Sequence, residues 1–225
     1  MGVAMLLVVF FHSSFIIDNV PVLYFFKQTG DIGVDIFLFI SGIGIYYSLQ
    51  KHENIKSYIL SRLSRILPAF LLINTIWFIF YDLIVYKTGL FIFIKDITSL
   101  SFWLDGKLTT WYLSSLLVLQ LMSPVLLKSL QRWGAKAYFL ILTLVLFVVA
   151  LIRFTSLNEV VGHLLIWICR IPVYVTGLWC GKFVQDNKHI HLHFTSLAVI
   201  IIVCLLLILG ALGSLQIYIP FVVKY

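Results

Sequence analysis

The sequence predicts an all-α protein, a polytopic bundle of transmembrane helices with about seven spans, and two observations carry that prediction. First, 62% of the 225 residues are hydrophobic and only 11% are charged, against roughly 45–50% and about 25% in soluble domains. A soluble core has no room for so much apolar surface, so the solvent must be lipid. Second, the apolar residues fall in blocks of about 15–22, close to the ~20 that a helix needs to cross a bilayer. The alternating pattern of a membrane β-barrel strand is absent.

The spans are expected near 1–17, 32–49, 67–86, 111–127, 137–153, 163–184 and 195–213. The gaps between them carry Pro21, Gly30, the stretch Lys51 to Lys56, Gly89, Gly106 and Gly134, the residue types that interrupt helices. Segment 88–110 is a moderately long connection. Its Leu90-Phe-Ile-Phe-Ile94 and Leu100-Ser-Phe-Trp-Leu104 suit a stretch lying along the interface or folding into the outer mouth. The whole chain, 1–225, reads as one integral-membrane domain, incomplete at both ends.

The net charge of +7 does not point to nucleic acid, because no soluble module carries a basic face. Topology explains it better. With the N-terminus inside, the inner loops hold 9 of the 16 lysines and arginines and the outer segments 6, with Arg170 left within a span. That bias favours a cytoplasmic N-terminus. Cys169, Cys180 and Cys204 lie in apolar segments without ligand spacing and read as buried small residues. His189, His191 and His193 alternate without a carboxylate or thiolate cluster beyond Asp186, so they read as a solvated loop and no metal site is expected.

Several polar residues stand where lipid makes them costly. His12 ends the apolar run that begins at Val3. It is either a hydrogen-bonded interfacial histidine or a general base, since imidazole exchanges a proton near neutral pH. Asp35, on the same outer side, either orients His12 or sits favourably at a helix start. Arg62 and Arg65 are three apart and share a face if their segment is helical. They are topology anchors or, on the sharper reading, a clamp for a diphosphate. Trp111 and Tyr112 open the fourth span as belt aromatics. Arg170, followed by Pro172, either presents a cation to an internal cavity through a kinked helix or pairs with Asp82 or a free carbonyl.

Taken together, five stretches resemble the bacterial integral-membrane acyltransferase family three, whose members acylate extracytoplasmic carbohydrates and other small acceptors. They are Gly2 to His12, Gly33-Val-Asp-Ile-Phe-Leu-Phe-Ile-Ser-Gly42, Arg62-Leu-Ser-Arg-Ile-Leu-Pro68, Trp111-Tyr-Leu-Ser-Ser115 and Arg170-Ile-Pro-Val-Tyr-Val-Thr-Gly177. Their order and spacing, over roughly residues 1–182, are more specific than any one of them. The resemblance implies that His12 is the catalytic base and that Arg62 and Arg65 belong to the site of an acyl donor, usually acetyl-coenzyme A. One departure is that the family has an arginine eleven residues before the histidine, where this chain has Met1.

The resulting expectation is an O-acyltransferase of the bacterial inner membrane. It would move an acyl group, acetyl by resemblance, from a coenzyme A donor to a hydroxyl of a cell-envelope carbohydrate. No cofactor is expected to be permanently bound, and the partners are membrane lipids, the donor and the acceptor. Catalysis is assigned to His12 and Asp35, donor binding to Arg62 and Arg65, and substrate or oxyanion contacts to Ser41, Trp111 and Arg170. A transporter or flippase for a lipid-linked sugar, using Arg170 without covalent chemistry, and a non-catalytic remnant are the alternatives.

Overall fold

The computed structural model describes residues 2–12, 30–52 and 54–185. Residues Met1–Lys182 form one compact unit and Phe183–Tyr225 a second. All the described helices belong to the first unit, the last of them running on to Gln185. Among the described residues there are helices and turns but no strand. The helices are α1 (Gly2–Phe11), α2 (Ile32–Lys51), α3 (Ile55–Phe78), α4 (Leu90–Ile97) and α5 (Leu100–Asp105). They continue as α6 (Trp111–Trp133), α7 (Ala135–Phe154), α8 (Leu157–Val161), α9 (Leu165–Ile168) and α10 (Ile171–Gln185).

Five helical stretches among the described residues are long and apolar enough to cross a membrane: Ile32–Lys51, Ile55–Val85, Leu108–Trp133, Ala135–Phe154 and Leu157–Gln185. The distribution of side chains is that of a membrane protein. Leu72, Ile73, Ile76 and Phe147 point outward, while the polar Asn74, Gln120 and Ser123 are buried. Lipid tails give apolar side chains no reason to turn inward, and inside the bundle Asn74 donates to the Ile97 carbonyl and Ser123 meets the Tyr174 hydroxyl. The expected bundle is therefore present. Of the two remaining expected spans, the described part of the first holds the helix α1, while 13–17 and 195–213 lie outside the described residues.

The third span departs from expectation. Helix begins at Ile55, not near residue 67, and passes through Pro68. Asn54 starts it, its side chain accepting the backbone N–H of Ser57 at 2.7 Å, an N-cap that satisfies one orphan donor. The helix widens into a π-helical turn at Ile79–Val85. Segment 88–110, expected to lie along the interface or fold into the outer mouth, forms α4, α5 and a short 3-10 turn at Leu108–Thr110. It is pinned to α3 by Asn74, which donates to the Ile97 carbonyl at 3.1 Å, and by Lys107. The Lys107 ammonium binds Asp96 closely, lies 3.7 Å from Asp82 on the π turn, and sits over the Phe78 ring.

Close helix crossings depend on glycine. Gly33 lets α1 approach: a Cβ there would meet the Ala4 carbonyl oxygen at 2.5 Å and Val8 at 2.8 Å. Gly42 and Gly177 do the same for α2 against α10, backbone to backbone, and Gly181 admits the Tyr46 ring. Gly177 and Gly181 are four apart, the spacing of small residues at intramembrane helix crossings.

Pro124 lies inside α6 and has no N–H for the carbonyl of Gln120, four residues earlier. That carbonyl instead accepts the buried Tyr58 hydroxyl at 2.9 Å. Alongside, the Ser123 hydroxyl meets that of Tyr174 at 2.6 Å, so α3, α6 and α10 are joined by hydroxyls around the proline. Inside lipid this repair is needed, because no water is available to the freed carbonyl.

Candidate active site

The helix order brings the C-terminal end of α1 and the starts of α2, α6 and α10 to one end of the bundle. The N-terminal turns of α3 lie toward the other. His12 follows α1 immediately, its backbone N–H bonded to the Val8 carbonyl at 3.1 Å. Its ring is exposed and stands edge-on to Phe11, with centroids 5.1 Å apart.

Asp35 lies elsewhere on its helix from the face that meets α1. Gly33 marks the face of α2 against α1, and two residues on, at ~100° per residue, the chain has turned ~200°. Asp35 therefore faces α10, and its Oδ1 lies 3.2 Å from Nε of Arg170. No hydrogen bond or ion pair joins Asp35 and His12 among the described residues. Gly42, seven residues on, shares the Asp35 face, which explains why it meets α10 as well. Ser41 is half-buried and lies ~120° round from Asp35 at ~100° per residue, so the fold does not direct it toward Arg170.

Arg170 is held firmly in the interior, with 14% of its side chain exposed. The sixth span breaks at Cys169–Arg170, between α9 and α10. Pro172 sits in the first turn of α10, where a missing N–H costs nothing. The break frees the arginine to reach in several directions. Nη1 donates to the Ile166 carbonyl at 2.9 Å, Nη2 to Oδ2 of Asp31 at 3.4 Å, and the guanidinium lies 5.0 Å from the Trp111 ring centroid. The carbonyl is one of the two expected kinds of partner. Asp82, the other, belongs to Lys107 instead. Asp31 is a partner that the sequence reading misses, although its spacing of four from Asp35 is a readable sign of two carboxylates on one helical face.

At the far end, Arg62 and Arg65 lie on one helix but part company. Arg62 turns inward, its guanidinium 5.7 Å from the Tyr58 ring centroid and its Nε buried without a hydrogen bond among the described residues. Arg65 is exposed and lines an open groove of about 610 Å³ with Asn54, Lys56, Ser57, Ser61 and Ser64. Two cations, three hydroxyls and an amide make this groove suited to phosphate oxygens, to which guanidinium and hydroxyl groups donate directionally. Cys169 and Cys180 are free thiols, half-buried in the sixth span. His189, His191, His193 and Cys204 lie outside the described residues.

Fold and site together define a multi-pass helical membrane protein with a basic groove toward one end and an exposed histidine at the other. The family model described as an acyltransferase domain matches residues 2–223, nearly the whole chain, and the chain belongs to that acyltransferase family. No curated protein and no solved structure matches it.

Proposed function

We propose that this acyltransferase moves an acyl group from a coenzyme A donor to a hydroxyl of a cell-envelope carbohydrate, as a multi-pass protein of the bacterial inner membrane. The observation that carries this reading is the groove of Arg65 and Lys56, with three serines beside them, on the side of the bundle away from His12. A nucleotide diphosphate offers that groove its anionic oxygens, and the cytoplasmic side expected for it from the charge bias is where coenzyme A thioesters are found.

At the opposite end, the His12 imidazole takes the proton of an acceptor hydroxyl as the oxygen attacks the thioester carbonyl. The C–O bond forms, the C–S bond breaks, and the imidazolium returns the proton to the departing thiolate. A 20-residue helix is about 30 Å long, so the donor arm must thread the bundle or the acyl group must be relayed along it. Arg170 is a less simple oxyanion donor than its position in the chain suggests, because its guanidinium already serves Asp31, Asp35 and the Ile166 carbonyl. Its Nε faces Asp35 Oδ1 at 3.2 Å, so a substrate oxyanion has to displace that carboxylate to reach it.

The test is acyl transfer in membrane vesicles from labelled acetyl-coenzyme A. Label should appear on carbohydrate, and His12→Ala should abolish it while the protein still inserts. Retained transfer in that variant removes His12 from the chemistry. Movement of a lipid-linked sugar with no label incorporated overturns the acyl-transfer reading in favour of a transporter.

A further inference from the structure

The groove on α3 runs directly into the lipid-facing side of its own helix. The helix is continuous from Ile55 to Phe78, and Leu72 and Ile76 follow Arg65 by seven and eleven residues. At ~100° per residue, both lie within ~20° of Arg65 around the axis. They are 63% and 65% exposed, which on a membrane span means contact with acyl chains. Lys56 stands nine residues before Arg65, ~14 Å nearer the helix start at 1.5 Å per residue. Going inward, the groove and the face that continues it thus present a cation, hydroxyls, a second cation and then apolar side chains.

Neither Lys56 nor Arg65 makes an ion pair among the described residues. The hydroxyls are less free. That of Ser57 lies 3.0 Å from His52 Nδ1, and that of Ser64 donates to the Ser61 carbonyl at 3.2 Å. Pro68 lies within the helix and has no N–H for the Ser64 carbonyl, four residues earlier, so the groove also offers an acceptor. A phosphodiester meets the guanidinium and the ammonium, and a headgroup hydroxyl serves the carbonyl. A soluble phosphate meets the cations equally well but leaves Leu72 and Ile76 unused. A phospholipid sets its phosphate at Arg65 and its acyl chains along those two residues. One molecule then matches both the charge and the hydropathy of this face.

We propose that the groove seats an anionic phospholipid with a hydroxylated headgroup, of the phosphatidylglycerol type, and that this lipid competes there with the acyl donor. The competition rests on the donor reading of the groove, whereas the lipid seat stands without it. Both ligands need Arg65, because a diphosphate and a phosphodiester bring it the same kind of anionic oxygen. Anionic lipid in the surrounding leaflet therefore regulates how readily the donor is taken up. The more of it there is, the more donor is needed to displace it.

The test uses the purified full chain in phosphatidylcholine nanodiscs, with a trace of phosphatidylglycerol that carries a photoreactive diazirine in one acyl chain. Label should fall on the α3 peptide holding Leu72 and Ile76, about fivefold or more above that from the matching phosphatidylcholine probe, the effect of one basic residue near anionic lipid. Lys56→Gln combined with Arg65→Gln should abolish that excess. Lys128→Gln combined with Arg132→Gln, an exposed basic pair on α6, should leave it unchanged. Unlabelled phosphatidylglycerol should compete, whereas inorganic phosphate and glycerophosphoglycerol, the same headgroup without tails, should not at equal concentration. Equal labelling by the two probes, an equal loss in the α6 pair, or equal competition by either soluble phosphate overturns the lipid seat. Acetyl-coenzyme A should displace the label, and its KM should be severalfold higher in discs rich in phosphatidylglycerol. Undiminished label, or the same KM in both kinds of disc, overturns the competition. Label that meets every lipid criterion in a chain that transfers no acyl group overturns the catalytic reading alone.

Discussion

Arg170 Nε and Asp35 Oδ1 lie 3.2 Å apart, an ion pair that joins the starts of α2 and α10 but lacks the alignment of a hydrogen bond. It holds the helices at the point where the close crossing at Gly42 and Gly177 begins. Removing the cation leaves Asp31 and Asp35 facing each other in a partly buried setting. Breaking a buried pair costs about 3–5 kcal/mol, and the partial exposure of both carboxylates reduces this to an expected ~1–3 kcal/mol. Arg170→Ala should therefore lower the melting temperature in detergent clearly, and Asp31→Asn only slightly. An Arg170→Ala protein that melts like the wild type would show that the pair has no structural weight.

The proline repair in α6 gives a sharper test. Tyr58→Phe leaves the Gln120 carbonyl without a donor, at a cost of about 1–3 kcal/mol for a buried orphan. Pro124→Ala restores the backbone N–H that bonds this carbonyl, so the two changes should be non-additive. In a double-mutant cycle followed by thermal unfolding, Tyr58→Phe should cost much less in the Pro124→Ala background. Strict additivity would mean that the Tyr58 hydroxyl does not serve as the replacement donor.

Lys107 faces Asp96 and Asp82, both carboxylates being almost wholly buried. Lys107→Met strands them, and an unfolding free-energy loss on the order of 3–5 kcal/mol is expected. Burial tends to raise the Asp96 carboxyl, but hydrogen bonds from Lys107 and Ser101 outweigh it and hold the group below its ordinary value. A depressed carboxyl stabilises the fold fully above the unfolded value of about 3.9, and that stability disappears as pH falls through the folded value. Wild type should thus lose stability below about pH 4, and Asp96→Asn should flatten that part of the curve. An acid limb unchanged in Asp96→Asn would assign it to other groups.

Glycine positions separate packing from propensity. Gly177→Ala sets a Cβ against the Phe39 backbone, and Gly44→Ala sets one in open space. The first should destabilise the fold and the second should be neutral or stabilising by up to ~1 kcal/mol, the ordinary gain of alanine over glycine within a helix. Comparing their melting temperatures decides whether α2 and α10 cross at Gly177.

If the groove at Arg65 takes the proposed donor, Arg65→Ala should raise the KM for acetyl-coenzyme A about tenfold, the ~1.4 kcal/mol of one charge-assisted contact. The inward-turned Arg62 should act more on stability than on KM. Equal KM effects of the two substitutions would restore them as a joint clamp.

The spans at 32–49, 111–127 and 137–153 are legible in the sequence because lipid imposes length and hydropathy on each helix separately. The start of α3 is not: Lys56, Arg62 and Arg65 dilute its hydropathy, and the Asn54 cap is a local signal that an apolar count ignores. The break at Arg170 is legible from Pro172, whereas the choice of its partners is not. Asp31, Asp35, Asp82 and Ile166 are all eligible by chemistry, and only the rotation of α2 about its axis distinguishes among them.

Composition and apolar spacing determined by themselves that the chain is a membrane protein of helices, and the motifs from Gly2 to Gly177 carried the resemblance to an acyltransferase family, since those signals lie within single segments. Tertiary structure decided what pairs with what. Arg62 and Arg65 face different surroundings, Asp35 turns from His12 to Arg170, and Trp103 meets Trp167 from a distant part of the chain. Pairing depends on helix rotation and on which backbones glycine allows to touch, and those are properties of several segments at once.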